Sequence, residues 1–262
     1  MVDRRVHEGE AVIERAVVDG RPVDADARLA LDARYGHFTA LQVRARRVRG
    51  LDLHVERLQS ANRELFGAEL PRPEVLGAIR AVLGDDLRDA SVRVYVVAGD
   101  RPRVLATAAP PTEAPTGPWS VTPVVYQRYL AHVKQAYGFQ QAHIGRQVAR
   151  AGFDEALLTT EDGLISEGSI TNLGAFDGER LLWPDAPMLH GITMRLMERM
   201  DVPQERRPLR AADLPRLGQV FLCNSWGLMP VGRVDDVPLR QDGKLMTRLH
   251  EHYDAVSWDP LD

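Results

Sequence analysis

Ala109-Pro110-Pro111-Thr112-Glu113-Ala114-Pro115-Thr116-Gly117-Pro118 divides this chain. Four prolines and one glycine in ten residues cannot continue a helix or a central strand, because proline lacks an N–H and fixes φ. The stretch reads as a connector over residues 109–118, between a first unit of residues 1–108 and a second of residues 119–262. In the first unit, residues 38–43 and 92–97 read as strands. Between them Leu53, Leu58, Ala61 and Leu65 recur at helical spacing, with Gly67 as the stop. Residues 73–83 read as a second helix. In the second unit, residues 121–125, 155–160, 173–176 and 220–223 read as strands, and residues 139–151 as a helix. Turns are expected at Asp162-Gly163 and Asp177-Gly178, and Thr193 opens a helix running to residue 200. The expectation is an α/β (α+β) chain: a small α+β domain, then a larger strand-rich domain with helices.

Composition narrows the function classes. With 262 residues the chain has room for real cores in both units. A net charge of -4 argues against a general nucleic-acid binder, which needs cations for phosphates. No apolar run approaches the roughly 20 residues that span a bilayer. Met1-Val2-Asp3-Arg4-Arg5 leads into charged sequence, not the apolar core of a secretory signal. A single cysteine, Cys223, allows no intrachain disulfide. A cytoplasmic setting is the expectation. His250-Glu251-His252 with Asp254 could suggest a metal site. Histidines two apart lie on opposite sides of a helix, and the segment reads as a polar tail, so no metal is expected. Cys223 sits in an apolar strand and reads as a buried, inert thiol.

Lysine usage singles out one residue. Of 33 basic residues only Lys134 and Lys244 are lysines. A lysine retained in so arginine-rich a chain fits a position where guanidinium fails. A Schiff base with an aldehyde, or a base of lowered pKa, needs an amine that can lose its proton. A leftover surface lysine is the alternative. Lys244 lies in Gln241-Asp242-Gly243-Lys244, a polar turn, and reads as that alternative.

Other short segments gain meaning beside it. His54 and Arg57 share a helix face at i, i+3. Ser166-Glu167-Gly168, after the Asp162-Gly163 turn, resembles the edge of a site, or an ordinary turn region. Gly191-Ile192-Thr193 enters a helix and could offer N–H groups to an anion, or Thr193 is only an N-cap. No phosphate loop, dinucleotide fingerprint or nucleophile elbow is present in the sequence.

Taken in order, these segments resemble the class IV pyridoxal-phosphate aminotransferases, the group of branched-chain and D-amino-acid aminotransferases and aminodeoxychorismate lyase. The resemblance runs from about residue 33 to residue 231. It rests on Gly36-His37-Phe38-Thr39, His54-x-x-Arg57-Leu58, Lys134, Asp154-Glu155-Ala156-Leu157, Ser166-Glu167-Gly168 through Asn172-Leu173, Gly191-Ile192-Thr193, and Asn224-Ser225 before Pro230-Val231. Each is short, but their order and the 33-residue step from Lys134 to Glu167 are specific together.

The resemblance implies a two-domain fold of type IV and pyridoxal 5'-phosphate as cofactor. It implies that Lys134 carries the cofactor as a Schiff base and shuttles the proton. Glu167 would pair with the pyridine nitrogen, and Arg57 would bind the phosphate. Backbone groups of Ile192 and Thr193 would complete the phosphate cradle, helped by Asn224 or Ser225. It also implies a homodimer, with a small-molecule amino donor and a 2-oxo acid acceptor as partners.

The sequence departs from the family in places. Amino-acid-handling members often carry Glu after the Phe of the first motif. Here Thr39-Ala40-Leu41-Gln42 follows Phe38. Phe-Thr is closer to the lyase branch, yet lyases usually have a second Thr where Ala40 stands. Trp226 is bulky for its loop. The leading expectation is amino-group transfer between an amino acid or amine and a 2-oxo acid. A lyase releasing pyruvate is the alternative, and a non-catalytic cofactor-binding member is the third reading.

Overall fold

Strand β3 (Gly36–Arg44) explains the first layer of the protein. Its residues alternate between buried and half-buried from His37 to Arg44, as a strand with one face on a core must. Thr39, Leu41 and Val43 point inward, while Phe38, Ala40, Gln42 and Arg44 point the other way. The computed structural model describes residues 17–18, 21–22, 35–99 and 101–261. Before β3 only a two-residue ladder of β1 (Val17–Val18) and β2 (Arg21–Pro22) is described.

β3 pairs antiparallel with β4 (Arg47–Arg49) and β5 (Ala90–Val97), and β5 pairs with β6 (Arg103–Ala109). Helices α1 (Leu51–Phe66) and α2 (Arg72–Leu83) cover the inward face. Leu41, Val43, Val55, Leu58, Ile79, Val92 and Val94 form its core. α1 ends on Gly67, whose φ of 62° is left-handed and whose N–H returns to the Arg63 carbonyl. Glycine adopts that conformation without the Cβ clash other residues meet.

The second sheet holds nine strands. They are β7 (Trp119–Val125), β8 (Glu155–Thr159), β9 (Ile165–Gly168), β10 (Asn172–Phe176), β11 (Leu181–Pro184), β12 (Gln204–Arg207), β13 (Gln219–Asn224), β14 (Gly227–Val234) and β15 (Val237–Pro238). The order is β12-β11-β10-β13-β14-β7-β8-β9, with β15 on β14. Pairings β14–β7, β7–β8 and β11–β12 are parallel and the others antiparallel. Both faces of β8 through β11 are buried, so these strands lack an alternation of buried and exposed residues, and Glu155, Ser166, Glu167 and Asn172 are buried among apolar neighbours. Helices α3 (Phe139–Arg150), α4 (Ile192–Met197) and α5 (Gly243–Ala255) pack around the sheet. The protein is thus a mixed α/β fold with a small and a large sheet.

Two regions differ from the sequence expectation. The helix opening near Thr193 is short, and residues 198–200 lie beyond its end in turns. The C-terminal segment is not a polar tail or turn. Asp242 caps α5 by accepting from the N–H groups of Lys244 and Leu245, and Met246 and Leu249 bury an apolar stripe. The charged residues around them mask that stripe in a linear reading. Beyond α5, β16 (Trp258–Pro260) pairs antiparallel with β4. The chain therefore crosses back and adds an edge strand to the first sheet. Among the described residues no helix is long and apolar enough to cross a membrane.

Candidate active site

The loop between β7 and α3 is stitched to the edge of β3. Phe38 N–H donates to the Lys134 carbonyl at 2.9 Å, and Ala136 N–H donates to Gly36 at 2.9 Å. These bonds fix the backbone of Lys134 where the two sheets meet. Its side chain enters a cavity of about 270 Å³ lined from both sheets. Lys134 Nζ lies 4.8 Å from the centre of the Phe38 ring. Burial lowers the Lys134 pKa to about 7, aided by the nearby Arg57 and Arg128 cations and opposed by Glu167. Desolvation disfavours an ammonium, and like charges add to that. Lys244, by contrast, is an exposed residue in the first turn of α5.

Glu167, on buried β9, faces the same cavity. Its Oε1 accepts from Arg128 Nε at 2.8 Å, and its Oε2 from the Leu189 N–H at 3.2 Å. Burial raises its pKa despite the pull of Arg128. The remaining nitrogens of Arg128 donate to the carbonyls of Val133, at 2.9 Å, and Ala131. Arg128 so joins the carboxylate to the lysine loop. Sequence reasoning missed Arg128, and no motif or periodicity marks it.

Arg57 reaches the cavity from α1. It donates to the Thr39 hydroxyl, which lies 2.7 Å from His54 Nδ1. Since Arg57 can only donate, Thr39 donates onward to His54. Burial and the Arg57 charge hold His54 well below its usual pKa, so it stays neutral and accepts. Arg57 Nε is buried without a protein partner. Burial, then the Arg195 cation, lowers the Arg57 pKa to about 9. A buried cation with an unused donor is a waiting anion site.

The remaining residues gather on the opposite wall. Ile192 and Thr193 form the first turn of α4, whose leading N–H groups have no intrahelical acceptor. Thr193 Oγ1 donates to the Asn224 carbonyl at 2.6 Å, tying α4 to the end of β13. Asn172 Nδ2 donates to the Leu189 carbonyl at 2.8 Å and braces the turn before α4. A Cβ on Gly191 would overlap the Asn172 side chain, which accounts for glycine there. Asn224 and Ser225 line the cavity with Trp226. The structure therefore brings Arg57, Lys134, Glu167, Ile192, Thr193, Asn224 and Ser225 to one cavity.

Further cavity residues escaped sequence reasoning, among them Arg49, Arg93, Tyr253 and Trp258. Two belong to the C-terminal segment misread as a tail. Thr39 behaves differently from its place in the first motif. It is fully buried on the core face and turned to Arg57, while Phe38 and Ala40 face the cavity. Cys223 is buried, and burial pushes its thiol pKa far up, which fits an inert thiol.

Comparison with known proteins shows the family and the fold. The sequence model of the family described as "Amino-transferase class IV" matches residues 36–234. A search of curated proteins finds no match. Among solved structures, one similar chain is a hypothetical aminotransferase from Mycobacterium tuberculosis bound to alpha-ketoglutarate and PMP. It has a TM-score of 0.78 and 20% identity, over 92% of this chain and 95% of that one. A branched-chain amino acid aminotransferase from Escherichia coli has a TM-score of 0.76 and 18% identity, over 89% and 92%. A protein from Legionella pneumophila assigned as a 4-amino-4-deoxychorismate lyase has 0.73 and 18%, over 87% and 93%. At these identities the likeness carries the fold.

Proposed function

Because the chain belongs to the class IV aminotransferase family, we propose that it transfers an amino group between an amino acid or amine and a 2-oxo acid. One observation carries this reading: a single cavity presents an amine of lowered pKa, a buried carboxylate and a buried guanidinium whose Nε has no partner. The cofactor is pyridoxal 5'-phosphate, and this donor set fits its aldehyde, ring nitrogen and phosphate in turn. When bound, the cofactor supplies a carbonyl for the lysine amine and a protonated ring that takes up electrons from the substrate.

The protein's own groups do the rest. With a pKa of about 7, roughly half of the Lys134 amine is free of its proton near neutral pH. As a free amine, Nζ could hold the proton that leaves and returns to the reacting carbon. Glu167 holds the proton on the ring nitrogen, and Arg128 keeps that carboxylate from rotating away. Arg57, the first turn of α4 and the Asn224-Ser225 segment hold the phosphate. Thr39 and neutral His54 aim Arg57 without competing for the anion.

A lyase releasing pyruvate is the second reading. Against it stands Ala40, which presents only a methyl group to the cavity, while the Thr39 hydroxyl is engaged by Arg57 and His54. The test is a panel of amino donors followed by absorbance of the loaded protein. Stoichiometric conversion of the cofactor to its amine form supports transfer. Pyruvate release without that conversion would replace it with the lyase. A homodimer belongs to the same reading.

A further inference from the structure

The cavity carries more positive charge than the proposed cofactor uses. Its charged lining is Arg49, Arg57, Arg93, Arg128 and Lys134 against one carboxylate, Glu167. Arg128 is spent on Glu167, and Arg57 is assigned to the phosphate. Arg49 and Arg93 remain.

Sheet register places them. Arg93 lies beside Ala40, and Val48 beside Val43. Continuing that antiparallel register sets Arg49 beside Gln42. Both arginines thus share the cavity face of the first sheet, at different depths along it. Arg93 is the nearer to Lys134, whose pKa it helps to lower.

Arg49 is unusually fixed. Its guanidinium carbon lies 4.5 Å from the ring centres of both Tyr253 and Trp258. Trp258 is its strand neighbour on β16. The two rings take the guanidinium from opposite elements, α5 and β16, and both come from sequence beyond the family match at residue 234. One nitrogen, Nη2, donates to Asp254 Oδ1 at 3.2 Å and to the Asp254 backbone carbonyl at 3.4 Å. The Arg49 side chain is 14% exposed and the Asp254 side chain 69%, so solvent screens the pair. Nη1 has no partner among the described residues, and Nε is buried without one.

We propose that Arg49, clamped by Tyr253 and Trp258, is the specificity residue for a second carboxylate on the substrate. The site then favours amino acids or 2-oxo acids carrying a distal acid group. A guanidinium already held against two rings loses little side-chain entropy on binding, and its unpartnered Nη1 can donate to a carboxylate oxygen. This rests on the aminotransferase reading of the same cavity.

The test uses cofactor-loaded protein and two unreactive probes, glutarate and butyrate, titrated by the fluorescence of the cavity tryptophans. Glutarate should bind tighter than butyrate by on the order of tenfold, the scale of one charge-assisted contact. In Arg49→Met that ratio should fall towards one with butyrate unchanged, and Arg49→Lys should restore part of it. Asp254→Asn, at an exposed position, should tighten glutarate by freeing Arg49. Equal binding of both probes by the wild-type protein would overturn the proposal. So would equal weakening of both in Arg49→Met, or a raised cofactor requirement with the ratio intact. Visible absorbance of the bound cofactor, read in the same cuvette, separates failure of the cofactor assignment from failure of the subsite.

Discussion

Arg128 Nε and Glu167 Oε1 lie 2.8 Å apart with both side chains buried. The residues are 39 positions apart in the sequence. Through its other nitrogens Arg128 also holds the carbonyls of Ala131 and Val133, the latter adjoining Lys134. One guanidinium therefore sets the spacing between the reactive amine and the carboxylate. Arg128→Met should leave Glu167 as an uncompensated buried charge and lower stability by about 3–5 kcal/mol. Urea denaturation of the two proteins measures this. A change under about 1 kcal/mol, the scale of a surface pair, would mean that Glu167 finds water or another partner.

Glu167→Gln should keep the cofactor bound yet slow proton abstraction. A neutral amide cannot hold the ring nitrogen protonated. Losing such a partner costs roughly 2.7–4 kcal/mol of barrier, on the order of 10²–10³ in rate. Single-turnover kinetics with an amino donor read it. Wild-type turnover in this variant would remove Glu167 from the ring.

Lys134 should show its lowered pKa in the rate at which cofactor-free protein takes up pyridoxal phosphate. That rate should climb with pH and level off above about 7, not near the ordinary lysine range. Borohydride reduction should then place the cofactor on Lys134, and an adduct on Lys244 would refute the assignment. Stability has a definite sign too. The folded state binds fewer protons than the unfolded chain between the folded pKa of about 7 and the ordinary lysine value. This group's contribution to stability in the cofactor-free protein therefore rises with pH through that window and is lost as pH falls through the folded pKa. Lys134→Met should abolish that slope in thermal unfolding.

Arg57→Ala should raise the concentration of pyridoxal phosphate needed for saturation while affecting unphosphorylated pyridoxal much less. A charged donor to a dianion is lost. Thr39→Val should act in the same direction but more weakly, because it only releases the Arg57 side chain. Equilibrium titration of both ligands checks this, and equal weakening for both would place Arg57 away from the phosphate.

Light scattering of the loaded protein should report a homodimer. A strictly monomeric, fully active protein would refute that and leave the cofactor assignment standing.

Much of this protein was legible in one dimension. The strand over residues 38–43, the apolar spacing over α1 and the glycine stop at Gly67 follow from local sterics and periodicity. So each is written in a few neighbouring residues. Lys134 stood out because lysine is scarce, and Glu167 because it stands in the motif order of the family that the sequence resembles. Tertiary structure decided the rest. Alternation shows that β3 has two faces, but Thr39 and Ala40 are both small, and only the packing of α1 reveals which meets the core. Arg128 is one arginine of many until folding brings it to a carboxylate. The C-terminal segment looked polar because charges surround Met246 and Leu249. Its place beside Arg49 depends on a strand pairing that spans most of the chain. Local chemistry determines which elements form, while long-range burial and pairing determine which side chains share a cavity.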